Sequence, residues 1–295
     1  MASRPARLSV GVVSAGRVGA VVGAAWAAAG HHVVAASGVS QASVRRAETL
    51  LPGVPLLPPD EAAAQADLVL LAVPDDVLPG LVRGLAAADA FRTGQIVVHT
   101  SGAHGVAVLA PAVEHGVLPL ALHPVMTFTG RSEDVARLHG ACVGVTATEG
   151  EEAAWNVGEA LGVEMGAEPV RVPEPVRPLY HAALSHGANH LITLVCDCVD
   201  TLEAAGISPA GRLVAPLLSA ALDNALRHGD RGLTGPVARG DAGTVALHLR
   251  ELAAADPDLA DTYKVLALRT AHRAAAAGLL PGHLAKDVFE TLEEN

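Results

Sequence analysis

Four short segments of this 295-residue chain carry side chains that can move protons or hold oxygen anions. His99 and Ser101 follow the apolar run Gln95-Ile96-Val97-Val98, and His123 follows Leu120-Ala121-Leu122. Histidine titrates near neutrality and a serine hydroxyl can hydrogen-bond a substrate oxygen, so the pairing suits general acid chemistry. A further group lies in Tyr180-His181-Ala182-Ala183-Leu184-Ser185-His186-Gly187-Ala188-Asn189-His190. At four-residue spacing His181, Ser185 and Asn189 share one helix face, with His186 and His190 on the neighbouring one. The fourth segment, Leu233-Thr234-Gly235-Pro236-Val237-Ala238-Arg239-Gly240-Asp241, offers Arg239 to a carboxylate and Asp241 as a helix cap. Plainer roles compete with each: buried rings satisfied by backbone carbonyls, polar residues at a domain interface, a capping loop.

Such groups need a scaffold, and its start is Leu8-Ser9-Val10-Gly11-Val12-Val13-Ser14-Ala15-Gly16-Arg17-Val18-Gly19. An apolar strand enters a glycine-rich turn and then an alanine-rich helix, the layout that lets a backbone and a helix N-terminus receive a pyrophosphate. Ser14, Ala15, Gly16, Arg17, Val18 and Gly19 are therefore expected to bind a dinucleotide, although Ser14 replaces the first glycine of GxGxxG. The second strand ends at Ala36-Ser37-Gly38 without the acid that holds a free ribose 2′-OH, and Arg45 and Arg46 follow. That favours NADP, with Ser37 and Arg45 near its 2′-phosphate and Val73 and Pro74 beside it after the third strand.

Continuously apolar runs alternate with helix-length segments as far as Val172, the pattern of a parallel sheet covered on both faces. Strands are expected at His31 to Ala36, Ala66 to Val73, Gln95 to His99, Gly116 to Leu122, Ala141 to Thr146 and Val163 to Val172. Three prolines in Pro173-Glu174-Pro175-Val176-Arg177-Pro178 can continue neither a helix nor a central strand. Beyond them the pattern is helical. The expected fold is a Rossmann-like, doubly wound, mainly parallel α/β domain over residues 1–172, followed by an all-α domain over 173–295.

Composition narrows the functions further. With 20 basic and 31 acidic residues the net charge is −11, and no basic stripe compensates, which opposes nucleic-acid binding. No apolar run is long enough to span a membrane and Met1 to Arg7 lacks the apolar segment of a secretory signal, so a cytoplasmic protein is expected. Cys142, Cys196 and Cys198 lack CxxC spacing and read as small core residues, and no metal site is expected.

Taken together, Val97-Val98-His99-Thr100-Ser101-Gly102, Leu122-His123-Pro124-Val125-Met126-Thr127-Phe128, Arg177-Pro178-Leu179-Tyr180-His181-Ala182-Ala183, Asn189-His190-Leu191 and the Leu233 to Asp241 segment resemble a bacterial family of predicted oxidoreductases. Its members join a Rossmann-like domain to a C-terminal helical domain of unknown function of the DUF2520 type. More remotely the layout is similar to the 6-phosphogluconate dehydrogenase-like superfamily, which includes pyrroline-5-carboxylate, ketopantoate and 3-hydroxyacid reductases. The resemblance implies an NADPH-linked reductase with its site between the domains, acting on a small C=O or C=N substrate, and a homodimer through helices. A non-catalytic NADP-binding sensor or assembly partner is the alternative. The chain has only two lysines, Lys264 and Lys286, so the lysine acid of the 3-hydroxyacid and ketopantoate reductases is missing from the first interdomain helix. Elimination then leaves His123 or His181 as the acid, protonated through a modest upward pKa shift, with Asn189 and Ser101 orienting the substrate. His99, Ser185 and Arg239 are expected to contact it, and Tyr180 is less suited because its reference pKa is near 10.

Overall fold

The computed structural model describes residues 7–294. The chain divides into two compact units, the first up to His186 and the second from Gly187 on.

The first unit is built on one seven-stranded sheet: β1 (Ser9–Val13), β2 (His32–Ala36), β3 (Leu68–Leu71), β4 (Ile96–His99), β5 (Leu118–Pro124), β6 (Cys142–Ala147) and β7 (Glu168–Arg171). The spatial order is β2-β1-β3-β4-β5-β6-β7. All neighbours are parallel except β5 and β6, which run antiparallel with His123 opposite Gly144. The chain leaves β1 for β2 on one side and then returns to β3 on the other. This reversal opens a crevice at the carboxyl ends of β1 and β3, the place where open α/β sheets bind ligands.

Helices α1 (Arg17–Ala28), α2 (Gln41–Leu50), α3 (Pro59–Ala64), α4 (Leu78–Ala87), α5 (Ala110–Val113), α6 (Ser132–Arg137) and α7 (Glu152–Glu164) cover the sheet. Both faces of the central strands are buried. In β3, Leu68 and Leu70 enter a core with Val10, Val12 and Trp26, while Val69 and Leu71 enter another with Leu85, Phe91 and Val97. Strands whose side chains alternate between two dry layers have no polar face, which explains their unbroken apolar sequence. Polar contacts fix α7 to the first βαβ unit. Trp26 Nε1 donates to the Leu161 carbonyl at 3.0 Å, and His31 accepts from Leu8 N through Nδ1 while Nε2 meets Glu164 at 2.7 Å. The last strand begins at Glu168 rather than Val163, because α7 continues through Val163 to Glu164.

The proline-rich segment forms a short 3-10 turn at Glu174–Val176 and leads into α8 (Arg177–Ala204). Pro178 fits there because the first turn of a helix has no partner for the missing N–H. The division between the units falls inside this helix. The second unit continues with α9 (Ala210–His228), α10 (Pro236–Arg239), α11 (Ala242–Ala255), α12 (Pro257–Ala276) and α13 (Gly282–Glu294). Val245, Ala271, Val288 and Leu292 form its core. The cysteines are not core residues: Cys196 is exposed and Cys142 and Cys198 are half-buried. For Cys196 and Cys198 the reason is that α8 leaves much of its surface uncovered. No described helix is long and apolar enough to cross a membrane.

Candidate functional site

At the end of β1 the turn is held from the neighbouring strand. Ser14 N donates to Ser37 Oγ at 2.8 Å, Ala15 N to the Ser37 carbonyl at 2.7 Å, and Ser37 N to the Val12 carbonyl at 2.8 Å. Ser37 thus clamps the turn. Ser14 adopts φ +75°, a left-handed conformation that glycine takes without penalty and serine does not. Gly19 has no freedom to be anything else, since a Cβ there would run into the Ser14 carbonyl oxygen and within 2.9 Å of Ala72 Cβ. Above Gly16 the space is open except for Ser14 Oγ, and the N–H groups of Arg17, Val18 and Gly19 open α1 without intrahelical partners. These features fit a pyrophosphate. Arg45 is exposed, whereas Arg46 and Arg17 both lie over Gly130, with Arg46 Nε 2.6 Å from where a Cβ would stand. Val73 is half-buried and Pro74 exposed at the exit of β3.

The turn after β4 is a closed network. His99 is fully buried; Ser101 N donates to its Nδ1 at 3.2 Å, so Nε2 carries the proton and donates to the Gly105 carbonyl at 2.9 Å. Burial pushes its pKa down to about 4. A neutral ring with both nitrogens engaged holds the turn and has no edge left for a ligand. Ser101 is likewise committed: its hydroxyl accepts from His104 N at 3.0 Å and its carbonyl accepts from Arg177 Nη2 at 2.6 Å. His104 Nε2 reaches the Asp75 carbonyl at 3.1 Å, tying this turn to the exit of β3. Glu174 closes the far end by accepting from Val106 N at 2.7 Å and Ala107 N at 3.2 Å.

His123, near the end of β5, has Nδ1 2.8 Å from the Tyr180 hydroxyl. Its ring stands edge-on to His181, with centroids 6.0 Å apart and planes at 89°. Both rings rest on Gly102, where a Cβ would come within 2.5 Å of His181 Cδ2 and 2.9 Å of His123 Nε2. Any larger residue there would push the imidazoles apart. Burial first, and then the Arg177 charge, hold His123 down at about 4, opposite to the upward shift expected from the sequence. Burial raises Tyr180, so the phenol keeps its proton at neutral pH.

The Rossmann-like domain family matches residues 2–124, and a domain of unknown function, DUF2520, matches residues 142–270. The chain is a Rossmann-like protein with a DUF2520 domain. Among solved structures, a candidate NADP oxidoreductase from Bacteroides fragilis is similar over 90% of this chain and 98% of its own, with TM-score 0.72 and 19% identity. An imine reductase from Myxococcus stipitatus, in complex with NADP+, is similar over 97% and 99%, with TM-score 0.62 and 17% identity. The Plasmodium falciparum pyrroline carboxylate reductase, with NADP bound, covers 96% and 98% at TM-score 0.58 and 11% identity. At these identities the likeness is one of fold. No curated protein matches the chain.

Within this Rossmann-like and DUF2520 chain, the first unit therefore brings together His123, Tyr180, His181, Gly102 and Arg177. Ser185 Oγ reaches His181 Nε2 only at 3.5 Å. Asn189 and Arg239 belong to the second unit and are exposed there. Asp241 caps α11, accepting from Thr244 N at 3.0 Å, and the Thr244 hydroxyl at 2.7 Å lowers its pKa. Sequence reasoning gave Arg177, Gly102 and Asp75 no role at the site. For Gly102 a signal was present, a glycine directly after a strand-end serine; for a buried arginine in a proline-rich linker there was none.

Proposed function

We propose that the protein is a cytoplasmic NADPH-dependent reductase of a C=O or C=N bond in a small carboxylate-bearing substrate. One observation carries this reading: a half-buried pair, Tyr180 and His123, neutral at physiological pH, stands at the same carboxyl edge of the sheet as the Ser14–Gly19 turn. From β1 to β5 is three strand spacings, or about 14 Å. Bound NADPH supplies the hydride. The chain's own residues supply position and the proton. Gly16 and the first N–H groups of α1 hold the pyrophosphate, and Arg46 with Arg17 takes the 2′-phosphate. Tyr180 donates to His123 Nδ1, which leaves the imidazole proton on Nε2. That N–H donates to the atom gaining negative charge, the Tyr180 proton moves to Nδ1 as Nε2 gives up its own, and a proton from solvent restores the Tyr180 hydroxyl. A neutral imidazole donor needs no upward pKa shift, which reconciles proton delivery with the buried ring.

The same reading includes a homodimer. In the second unit Leu191, Leu194, Leu213, Leu217, Leu222 and Leu226 are exposed on α8 and α9, beside an apolar groove of about 1050 Å³. Contiguous apolar surface of this kind marks association.

Purified protein mixed with NADPH and a panel of 2-oxo acids and cyclic imines, followed at the cofactor's absorbance, tests the activity. Turnover with at least one class is expected. NADPH binding with no oxidation across the panel supports the non-catalytic sensor instead.

A further inference from the structure

Arg177 is the largest charged side chain that is fully buried among the described residues, and no described carboxylate forms an ion pair with it. Nη1 donates to Thr146 Oγ1 at 2.7 Å and Nη2 to the Ser101 carbonyl at 2.6 Å, both neutral acceptors. Nε is buried with no acceptor at all. Among the described residues no carboxylate lies within ion-pair distance of this guanidinium. Glu174, three residues earlier, is committed to Val106 N and Ala107 N. Arginine keeps its charge under any ordinary condition, so the interior next to Ser101 is positive.

A buried charge is costly when unpaired, and a tie between two neutral acceptors could be made by a neutral amide. The position of Arg177 supplies a reason for the charge. Its Ser101 contact lies one residue before Gly102, the floor beneath His123 and His181, and its Cζ is 5.9 Å from the Tyr180 ring centre. The titratable and charged groups facing His123 are Arg177, Tyr180 and His181 of α8 and Asp75 of the turn after β3, while β6 presents Gly144 at the paired position. His123 is neutral near physiological pH, and the fully buried Arg177 charge is opposed only from beyond ion-pair distance, by Asp75 and Glu174.

We propose that Arg177 is a positioning residue that fixes the Ser101–Gly102 turn and makes the His123–Tyr180–His181 corner a receptor for a carboxylate. This deepens the reductase reading and rests on it for the substrate's identity, because it assigns the acid end of the substrate to this corner. The counter-charge arrives with the ligand. Its arrival also offsets the Arg177 field at His123, so that carboxylate binding and proton uptake by that ring go together.

The test uses oxamate, a small 2-oxo carboxylate analogue, titrated into the full-length protein with and without NADPH. Binding is read from the imidazole Cε1–H resonance of His123, assigned with His123→Asn. A saturable shift is expected, with the His123 titration midpoint moving upward in the bound state, and no saturable shift from neutral acetamide. Arg177→Gln should weaken oxamate at least tenfold, and Arg177→Lys, which keeps the charge, should restore most of it. Thermal unfolding of each variant reports whether the fold survives; if Arg177→Gln does not fold, Arg177→Lys and the midpoint shift in the unaltered protein decide. Equal oxamate affinity in a folded Arg177→Gln variant, or an unshifted midpoint in the unaltered protein, overturns the proposal. Arg177-dependent oxamate binding, with no NADPH oxidation by any member of the 2-oxo acid and cyclic imine panel, sinks the reductase reading and leaves this one standing.

Discussion

The Tyr180 hydroxyl lies 2.8 Å from Nδ1 of His123, joining the first turn of α8 to the end of β5. Removing that hydroxyl leaves Nδ1 without its donor and frees the ring to change tautomer. Tyr180→Phe and His123→Ala should each lower kcat by about 10²- to 10⁴-fold with NADPH affinity within a few fold of the parent. Because the two act as a unit, the double variant should be little worse than either single one. Fully multiplicative losses in steady-state kinetics would separate them into independent roles.

Acid should destabilise the first unit. Burial lowers His99 and His123 to about 4 each, below the value an unfolded chain gives them. The unfolded state therefore binds more protons between those values, and stability falls as pH drops from about 6.5 to about 4. The upper bound is about 3 kcal/mol for a ring buried as fully as His99 and less for His123. Urea unfolding at pH 7.5, 6 and 4.5 should show the decline, and His99→Gln should flatten it. A pH slope identical in the two proteins would mean that another group governs acid stability.

Cofactor choice should depend more on Arg46 than on Arg45. Arg46 lies with Arg17 over Gly130, whereas Arg45 is exposed. A charge-assisted bond contributes about 1.5 to 3 kcal/mol, so Arg46→Ala should weaken NADPH about tenfold to a hundredfold and leave NADH nearly unchanged. Calorimetric titration with both cofactors distinguishes this from a larger loss in Arg45→Ala, which would move the 2′-phosphate to the outer arginine.

Ser14 holds φ +75°, and its backbone N–H rather than its side chain makes the bond to Ser37. Ser14→Gly relieves left-handed strain of about 1 kcal/mol, offset in part by a more flexible unfolded chain. The expected result is a Tm equal to or slightly above the parent's and unchanged NADPH affinity. Abolished affinity would make the hydroxyl a required cofactor ligand.

Much of the sheet could be read from the residues because its strands are buried on both sides and so lack polar interruptions. Gly19 was equally readable, since helix packing against the Ser14 carbonyl tolerates no side chain. Other features depend on contacts that no local pattern announces. The antiparallel entry of β6 depends on the connection that precedes it. At the site, reference pKa values favoured a charged histidine over tyrosine. Burial reverses that preference, lowering one ring and raising the phenol, and burial is set by residues 57 positions apart in the chain.

Glu174 closes the backbone of Val106 and Ala107 at sequence separations of 68 and 67, and Arg177 reaches Ser101 at a separation of 76. Chains emerge from the ribosome N-terminus first. The dinucleotide turn, with its clamp from Ser37, is complete once the first few strands have been made. The proton-handling corner must wait for residues 174 to 181. On the proposed reading, the cofactor cradle forms during synthesis well before the reactive corner, and a chain halted between the two would sequester a nucleotide without consuming it.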